Sequence, residues 1–579
     1  MHSISIALSG SGGAGVMTAG ELLLDAAGRA GFHGLMSRSF GPQIRGGEAA
    51  ALLRLGDGPV AGPGDRFDLL VALDWGNIER FAEEMPLGSD SRVVADPDDA
   101  GVPDCIAVSG AVFLPVALTA TAKQVRGGRA NLVAVGLVAR AAGIDRASIE
   151  AAVRNRFAAR GDRQLDAALG ALSAGWNLDA GPLLDALTSN ADRRSERWNL
   201  SGNEAAALGA IRGGVRFVAA YPITPATDML EWLAGALPSS GGTLIQAEDE
   251  LASINMCLGA SFGGTPSLTA TSGPGLSLMM ESIGLAVASE TPVVVVNVMR
   301  GGPSTGIPTK SEQTDLNIAV HGLHGEAPHP VVAPLDIADA IETTAWAVQL
   351  AESLQTAVLV LSDQALAQSR AIIDVPDAPI VSAQRLTADA PEPGRYQRHA
   401  DTPSGVSPMA IPGTPGGLFV ADGLEHDARG RPSTRARDHL AQLDKRRDKL
   451  LRYDYGTRWA DIDDTDADAG FAVVTWGSST RPVREAVARL RGQGLALRLI
   501  ALRLLWPLRT EALTEALDGI ERAVVVEHNH SGQLFGLLKA ACAPGIELIR
   551  HAVPGPLPIR PGELADAIRA HFALEDNRS

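Results

Sequence analysis

Between Leu200 and about Arg370 the chain alternates short apolar runs with amphipathic stretches. VRFVAA, TLIQA, PSLTA, PVVVVNV and AVLVL read as strands, while EAAALGAI, ELASINMCLGAS, SLMMESIGLAVA and IADAIETTAWAVQLA place apolar residues at helical spacing. Strands that are apolar along their whole length are buried on both faces, and such strands sit in parallel sheets whose crossover helices cover them. The alternation therefore predicts an α/β unit with a doubly wound parallel sheet. In sheets of this kind ligands bind where loops leave the carboxyl ends of the strands.

Four such loops carry reactive residue types. In YPITPATD, Tyr221 to Asp228, Thr224 stands before Pro225 and reads as an N-cap with proline at the first helical position. In QAEDE, the carboxylates Glu248, Asp249 and Glu250 open a helix, a placement that the helix dipole favours by itself. TATSGPG contributes Ser272 and Gly273 in a glycine turn. MRGGPSTGIPTKSEQTD contributes Arg300, Ser304, Thr305 and Lys310, and an arginine at the end of an apolar strand is often only the partner of a nearby acid. Each loop has a structural explanation of its own. Together they bring carboxylates, hydroxyls, glycines and a guanidinium to one mouth, which is the composition of an α/β active site.

The flanks differ. From Met1 to about Asn190, ISIAL reads as a strand, Gly10-x-Gly12-x-x-Gly15 follows, and a helix runs to about Ala30. The spacing matches a phosphate-binding turn, but the acid that a dinucleotide site needs about 20 residues further on is absent from Leu35-Met36-Ser37-Arg38-Ser39. NAD is disfavoured; a phosphate such as that of coenzyme A and a purely structural turn both remain open. Arg45, before a glycine pair, suits an anion or an ion pair. Gly56-Asp57-Gly58 lacks the paired Asn of a thiamine diphosphate–metal motif and reads as a turn. Residues 161–198 are helical with a polar end and read as a linker. From about Ala371 to Asp468 the prolines, Pro376 to Pro415, exclude long regular elements, and a charged helix, RARDHLAQLDKRRDKLL, follows. From Ala469 the α/β pattern resumes with FAVVTW, LALRLIAL and AVVVEHN.

At 579 residues several domains are expected. A net charge of −17 argues against nucleic-acid binding through a basic surface. No apolar run is long enough to cross a bilayer, and the N-terminus lacks the basic region of a signal peptide; a cytoplasmic protein is the expectation. The three cysteines, Cys105, Cys257 and Cys542, form no CxxC pair and cannot supply the four thiolates of a [4Fe–4S] cluster.

The ordered motifs YPITPATD, IQAEDELASINMCLGAS, TATSGPGLSLMMES and RGGPSTGIPTKSEQTDL resemble the pyrimidine-binding domain of the α subunit of 2-oxoacid:ferredoxin oxidoreductases. GSGGAGVMTAGELL, FGPQIRGGEAA and NLVAVGLVARAAG resemble the γ domain of that family, here fused ahead of the α part. GVSPMAIPG, GLEHDARG, WGSSTRPVREAV and EHNHSGQLFGLL resemble the tail of its 2-oxoglutarate-type α subunits. The resemblance implies a γ-type α/β domain over 1–190, a thiamine diphosphate pyrimidine-binding domain over 198–370, a Pro-rich connection over 371–468 and a transketolase C-terminal-like α/β domain over 469–579.

The resemblance also implies an activity: coenzyme A-dependent oxidative decarboxylation of 2-oxoglutarate to succinyl-CoA and CO2 with reduction of ferredoxin, the oxidation met in the TCA cycle. Branched-chain 2-oxo acids or pyruvate are alternative substrates, and a non-catalytic assembly subunit is the alternative role. Glu250 matches the carboxylate that faces N1′ of the aminopyrimidine and favours the tautomer that takes the C2 proton; Glu248 is second in line. Ser272 and Gly273 match cofactor contacts. Thr224 and Arg300 match contacts to the substrate. A distal carboxylate needs a further cation, which Lys310 or Arg45 could supply. The diphosphate site, Mg2+ and [4Fe–4S] cluster are expected on a β subunit in an (αβ)2 heterotetramer.

Overall fold

The computed structural model describes residues 2–41, 47–60, 62–97, 101–188, 196–376, 384–466, 469–541 and 545–573. Arg45 and Cys542 lie outside the described residues. Three sheets organise the chain. The central one has seven strands in the order Leu504–Trp506, Val331–Val332, Ala357–Asp363, Val293–Met299, Ser267–Thr271, Phe217–Ala220 and Thr243–Gln246. All neighbours run parallel except Leu504–Trp506, which pairs antiparallel with Val331–Val332. Every residue of Val293–Met299 is buried, as its unbroken apolar sequence requires of a strand covered on both faces. The helices Gly202–Gly213 and Ile337–Leu354 pack against each other so closely that a methyl group on Gly209 would stand 2.3 Å from the carbonyl oxygen of Ile341.

The first sheet has eight strands in the order Val112–Pro115, Arg92–Ala95, Leu69–Ala72, Ser3–Gly10, Ala49–Gly56, His33–Phe40, Arg370–Asp374 and Arg197–Ser201. Its first four strands are parallel and its last four antiparallel. The last two come from the segments on either side of the central α/β unit. Arg197–Ser201 lies where the sequence suggests the end of a linker, and Arg370–Asp374 where the regular alternation stops. Neither RWNLS nor RAIID is apolar enough to announce a strand. They form one because each supplies the other's hydrogen bonds, and Arg370 adds bonds to the Asn199 carbonyl oxygen and Glu204 Oε1, both at 2.9 Å. The third sheet has the order Ala460–Asp463, Leu497–Leu502, Phe471–Trp476, Arg522–Glu527 and Glu547–Ala552, with only Ala460–Asp463 antiparallel.

Between residues 384 and 435 the described chain forms no helix and no strand, consistent with its prolines. Buried charge fastens it instead. Glu290, fully buried just past the helix Gly273–Ala288, accepts from Lys445 Nζ and, at 3.3 Å, from Lys449 Nζ. Lys445 and Lys449 are four residues apart on the helix Ala436–Arg452 and so share one face. Arg398 Nη2 donates to the Glu290 carbonyl oxygen at 2.6 Å. The first and third units also meet directly: Arg54 forms a two-pronged pair with Glu485 at 2.6 and 3.0 Å, and Arg560 donates to the carbonyl oxygens of Gly64 and Glu84 at 2.6 and 2.8 Å.

Candidate active site at the mouth of the central sheet

The loops that follow Phe217–Ala220, Thr243–Gln246, Ser267–Thr271 and Val293–Met299 leave the same edge of the sheet, since these strands are parallel neighbours. The first loop corrects one expectation. Thr224 does not cap a helix: the helix is Thr227–Ala236, with Ala226 at its N-cap and no side-chain cap. The Thr224–Pro225 peptide is cis, and the Ile223 carbonyl oxygen accepts from the N–H groups of Ala226 and Thr227, so that Pro225 belongs to a turn ahead of the helix. Thr224 is half-buried, and its carbonyl oxygen accepts from Arg300 Nη1 at 2.5 Å.

In the second loop Asp249 is the N-cap; its side chain accepts from the Ala252 N–H at 2.7 Å, which begins the helix Glu250–Phe262. Glu250, the first residue of that helix, is only 7% exposed, whereas Glu248 is exposed. The carboxyl of Glu250 rests against Gly275. A methyl group there would stand 2.6 Å from Glu250 Oε1 and 2.1 Å from Thr271 Oγ1, so glycine is required at this position for the carboxylate to lie where it does. In the third loop Ser272 is the N-cap of Gly273–Ala288, and its buried Oγ has no hydrogen-bond partner among the described residues.

The fourth loop holds Arg300, 8% exposed, whose Nε also has no partner among the described residues. Burial lowers its pKa, and the charge of Asp315 opposes that shift. Asp315 Oδ2 accepts from Asn297 Nδ2 at 2.9 Å, and a methyl group on Gly273 would stand 2.8 Å from the same oxygen. The structure thus joins Thr224 to Arg300, sets Asp315 against Asn297 and the Gly273 turn, and brings Gly275 of the same helix against Glu250. Asp315, Asn297, Gly275 and Thr271 were missed as site residues. TSGPG and SEQTD contain three of them, but no spacing rule tells their side chains from ordinary loop residues.

Lys310 is taken up by the N-terminal unit. Its Nζ pairs with Glu84 Oε1 and donates to Ser39 Oγ at 2.9 Å, both groups of the N-terminal unit. It helps line a cavity of about 110 Å³ where the three units meet, with Arg38, Thr309, Arg481 and His528. Gln313 ties the same loop to the C-terminal unit: its Nε2 donates to the Trp476 carbonyl oxygen at 2.9 Å and its Oε1 accepts from the His528 N–H at 2.8 Å. The Gly10–Gly15 run does lie between the first strand and the helix Val16–Arg29, with Gly15 left-handed at φ 87°. Ser11 there is held by the carboxylate of Asp74 through its N–H and hydroxyl.

Comparison with known proteins follows the same division. Residues 208–445 match the family described as pyruvate flavodoxin/ferredoxin oxidoreductase, thiamine diphosphate-binding. Residues 5–178 match pyruvate ferredoxin/flavodoxin oxidoreductase, and 469–550 match pyruvate:ferredoxin oxidoreductase core domain II. The 2-oxoglutarate synthase subunit KorA of Methanothermobacter marburgensis is 36% identical over 59% of this chain and 90% of its own length. The 2-oxoglutarate oxidoreductase subunit KorA of Mycobacterium tuberculosis is 32% identical over 93% of this chain and 87% of its own. The solved structure of 2-oxoglutarate:ferredoxin oxidoreductase from Magnetococcus marinus, with 2-oxoglutarate, coenzyme A and succinyl-CoA bound, superposes with a TM-score of 0.90 at 34% identity, covering 99% of this chain and 100% of that one.

Proposed function

The chain belongs to the 2-oxoacid:ferredoxin oxidoreductases, and we propose that it is the α subunit, with a fused γ-type domain, of an enzyme that converts 2-oxoglutarate and coenzyme A to succinyl-CoA and CO2 and reduces ferredoxin. The observation that carries this reading is the buried Glu250 carboxylate, held against Gly275 at a sheet mouth that also presents Arg300 and Thr224. The residues present fit the aminopyrimidine half of thiamine diphosphate: a carboxylate in a cradle only glycine permits, and the buried Ser272 hydroxyl without a partner among the described residues. When bound, that cofactor supplies a nucleophilic ring carbon and an electron sink for decarboxylation.

Glu250 is the proton-exchange group, placed by its helix where a negative charge is favoured and water is scarce. Arg300 has one N–H on the Thr224 carbonyl oxygen and an Nε left over, so its guanidinium can take the substrate carboxylate without losing its anchor. The Thr224 hydroxyl, on the residue whose carbonyl oxygen anchors Arg300, is the further donor in this reading. For a distal carboxylate, Lys310 serves only by exchanging Glu84 for substrate; Arg45 is the other cation in this reading.

The rest of the site belongs to a β subunit. Tyr221, Leu251, Met256 and Leu278 are exposed apolar residues on the loops and helices around the mouth, the surface a partner chain covers. The chain's three cysteines are too few for a [4Fe–4S] cluster. One of them, Cys257, is fully buried, and burial pushes its thiol up to about 12. The diphosphate site, Mg2+ and the cluster are therefore assigned to the β subunit in an (αβ)2 assembly that passes electrons to ferredoxin. No helix among the described residues is long and apolar enough to cross a membrane. Substrate is tested by comparing kcat/KM for 2-oxoglutarate, pyruvate and branched-chain 2-oxo acids in the co-expressed complex. 2-Oxoglutarate should lead; a clear preference for another acid would overturn that assignment while leaving the family intact.

A further inference from the structure

The loop that follows Arg300 is tied to the N-terminal unit by a buried triad. Lys310 Nζ donates to Glu84 Oε1 and, at 2.9 Å, to Ser39 Oγ. Ser39 Oγ in turn donates to the same Glu84 oxygen at 2.9 Å. The hydroxyl thus spends its one proton on the acid and a lone pair on the ammonium. Ser39, on the strand His33–Phe40, is 1% exposed, and Glu84, on the one-turn helix Ala82–Glu84, is 9% exposed. The backbone of the acid is held as well, because Arg560 of the C-terminal unit donates to the Glu84 carbonyl oxygen at 2.8 Å.

The backbone of Lys310 carries this tie into the site. Its carbonyl oxygen accepts from the Gly301 N–H at 3.0 Å, and its N–H donates to the Ile307 carbonyl oxygen at 3.0 Å. The Ile307 N–H closes the loop by donating to the Gly301 carbonyl oxygen at 2.8 Å. Gly301 is therefore bonded through both its N–H and its carbonyl, and it follows Arg300 directly. Arg300 Nη1 donates to the Thr224 carbonyl oxygen at 2.5 Å. From Glu84 and Ser39 to Lys310, Gly301, Arg300 and Thr224, every link is a hydrogen bond or a covalent one.

Two uses are open to Lys310. Given up to the distal carboxylate of a substrate, it would leave Glu84 charged and mostly buried, with the Ser39 hydroxyl as its remaining side-chain partner among the described residues. An unpaired buried charge of that kind is costly. Kept on Glu84, Lys310 fixes the loop before substrate arrives. We infer that Glu84 and Ser39 are positioning residues for the 2-oxo acid site, which hold Arg300 in place through Lys310, and that the N-terminal unit thereby sets substrate affinity. The inference rests on the reading of Arg300 as the substrate-carboxylate contact. Without the tie the loop shifts at Lys310, and the Gly301 peptide and the guanidinium move with it. Substrate binding then weakens more than turnover does.

The test uses the α–β complex with bound thiamine diphosphate and steady-state reduction of a viologen dye. Glu84→Gln, which keeps the shape and removes the charge, should raise KM for 2-oxoglutarate about tenfold while kcat falls less than about threefold, because the interaction lost is one of binding. If Lys310 instead serves the distal carboxylate, the same change frees it for substrate, so a lower or unchanged KM overturns the inference. Lys310→Met should raise KM to a similar degree, and the double variant should be little worse than either single one, since each removes the same tie; full additivity overturns the inference as well. Ser39→Ala keeps the ion pair and loses the hydroxyl, and should raise KM in the same direction by less. It carries the test if Glu84→Gln does not assemble, and an unchanged KM there overturns the inference. A wild-type complex that turns over no 2-oxo acid overturns the functional reading itself, so the two failures are distinct.

Discussion

At Glu250 a carboxylate that is only 7% exposed sits on the first turn of a helix, with a glycine pressed against it. That geometry makes two quantitative expectations. Glu250→Ala removes the proposed proton-exchange group and should lower kcat of the complex by about two to four orders of magnitude, with thiamine diphosphate content measured alongside to show that the site is still loaded. Gly275→Ala keeps the carboxylate but displaces it, because the new methyl group would stand 2.6 Å from Glu250 Oε1. A displacement of about 1 Å at a reacting group costs on the order of a hundredfold, so Gly275→Ala should also be severely slowed, and a near-normal rate would show that the two do not touch in the working enzyme. The sequence supplies three adjacent acids and no means to rank them beyond motif position. The fold ranks them: Glu248 points outward, Asp249 spends its oxygen on the helix N-cap, and Glu250 turns inward.

The helix Gly273–Ala288 begins at the mouth of the sheet, and just past its end Glu290 holds a carboxylate buried among Lys445, Lys449, Arg398 and His399. Glu290→Gln would leave three cations in the interior with no counter-charge. Breaking a buried ionic cluster in this way costs about 3–5 kcal/mol, which should appear as a clear fall in the midpoint of thermal unfolding. The pH dependence has a definite sign. The surrounding cations hold the pKa of Glu290 well below its usual 4.5 although burial alone would raise it. Its stabilisation is therefore complete above that ordinary value and is lost as pH falls toward the depressed one. Below pH 4.5 the wild type should lose its stability advantage over Glu290→Gln, and a constant difference across that range would contradict the assignment. The central strands were legible because PVVVVNV and AVLVL are apolar throughout, and only a two-sided sheet buries such runs. Arg197–Ser201 and Arg370–Asp374 were not, because their strand character comes from pairing across 169 or more residues and from Arg370's bonds to Asn199 and Glu204. Val331–Val332 is too short to leave a pattern.

In the whole molecule the three units are not beads on a string. Glu84 and Ser39 of the N-terminal unit accept from Lys310, and the C-terminal unit grips Gln313 of the same loop. The loop that follows Arg300 is thus braced from both sides. None of this was readable from the motifs: Lys310 looked like a free cation in a polar loop, and its burial partner lies 226 residues away. The cysteine count, by contrast, is legible directly: three thiols, one of them pushed up to about 12 by burial, cannot by themselves ligate a [4Fe–4S] cluster.

The proposed partner gives the most direct test. The chain is purified alone and with the proposed β subunit, and each preparation is assayed for 2-oxoglutarate- and coenzyme A-dependent reduction of methyl viologen, with any cluster followed by electron paramagnetic resonance. No activity and no cluster signal are expected from the chain alone, and coenzyme A-dependent turnover with succinyl-CoA formed is expected when the partner is present. Turnover by the chain alone, or none in a complex that carries thiamine diphosphate and intact clusters, would contradict this expectation.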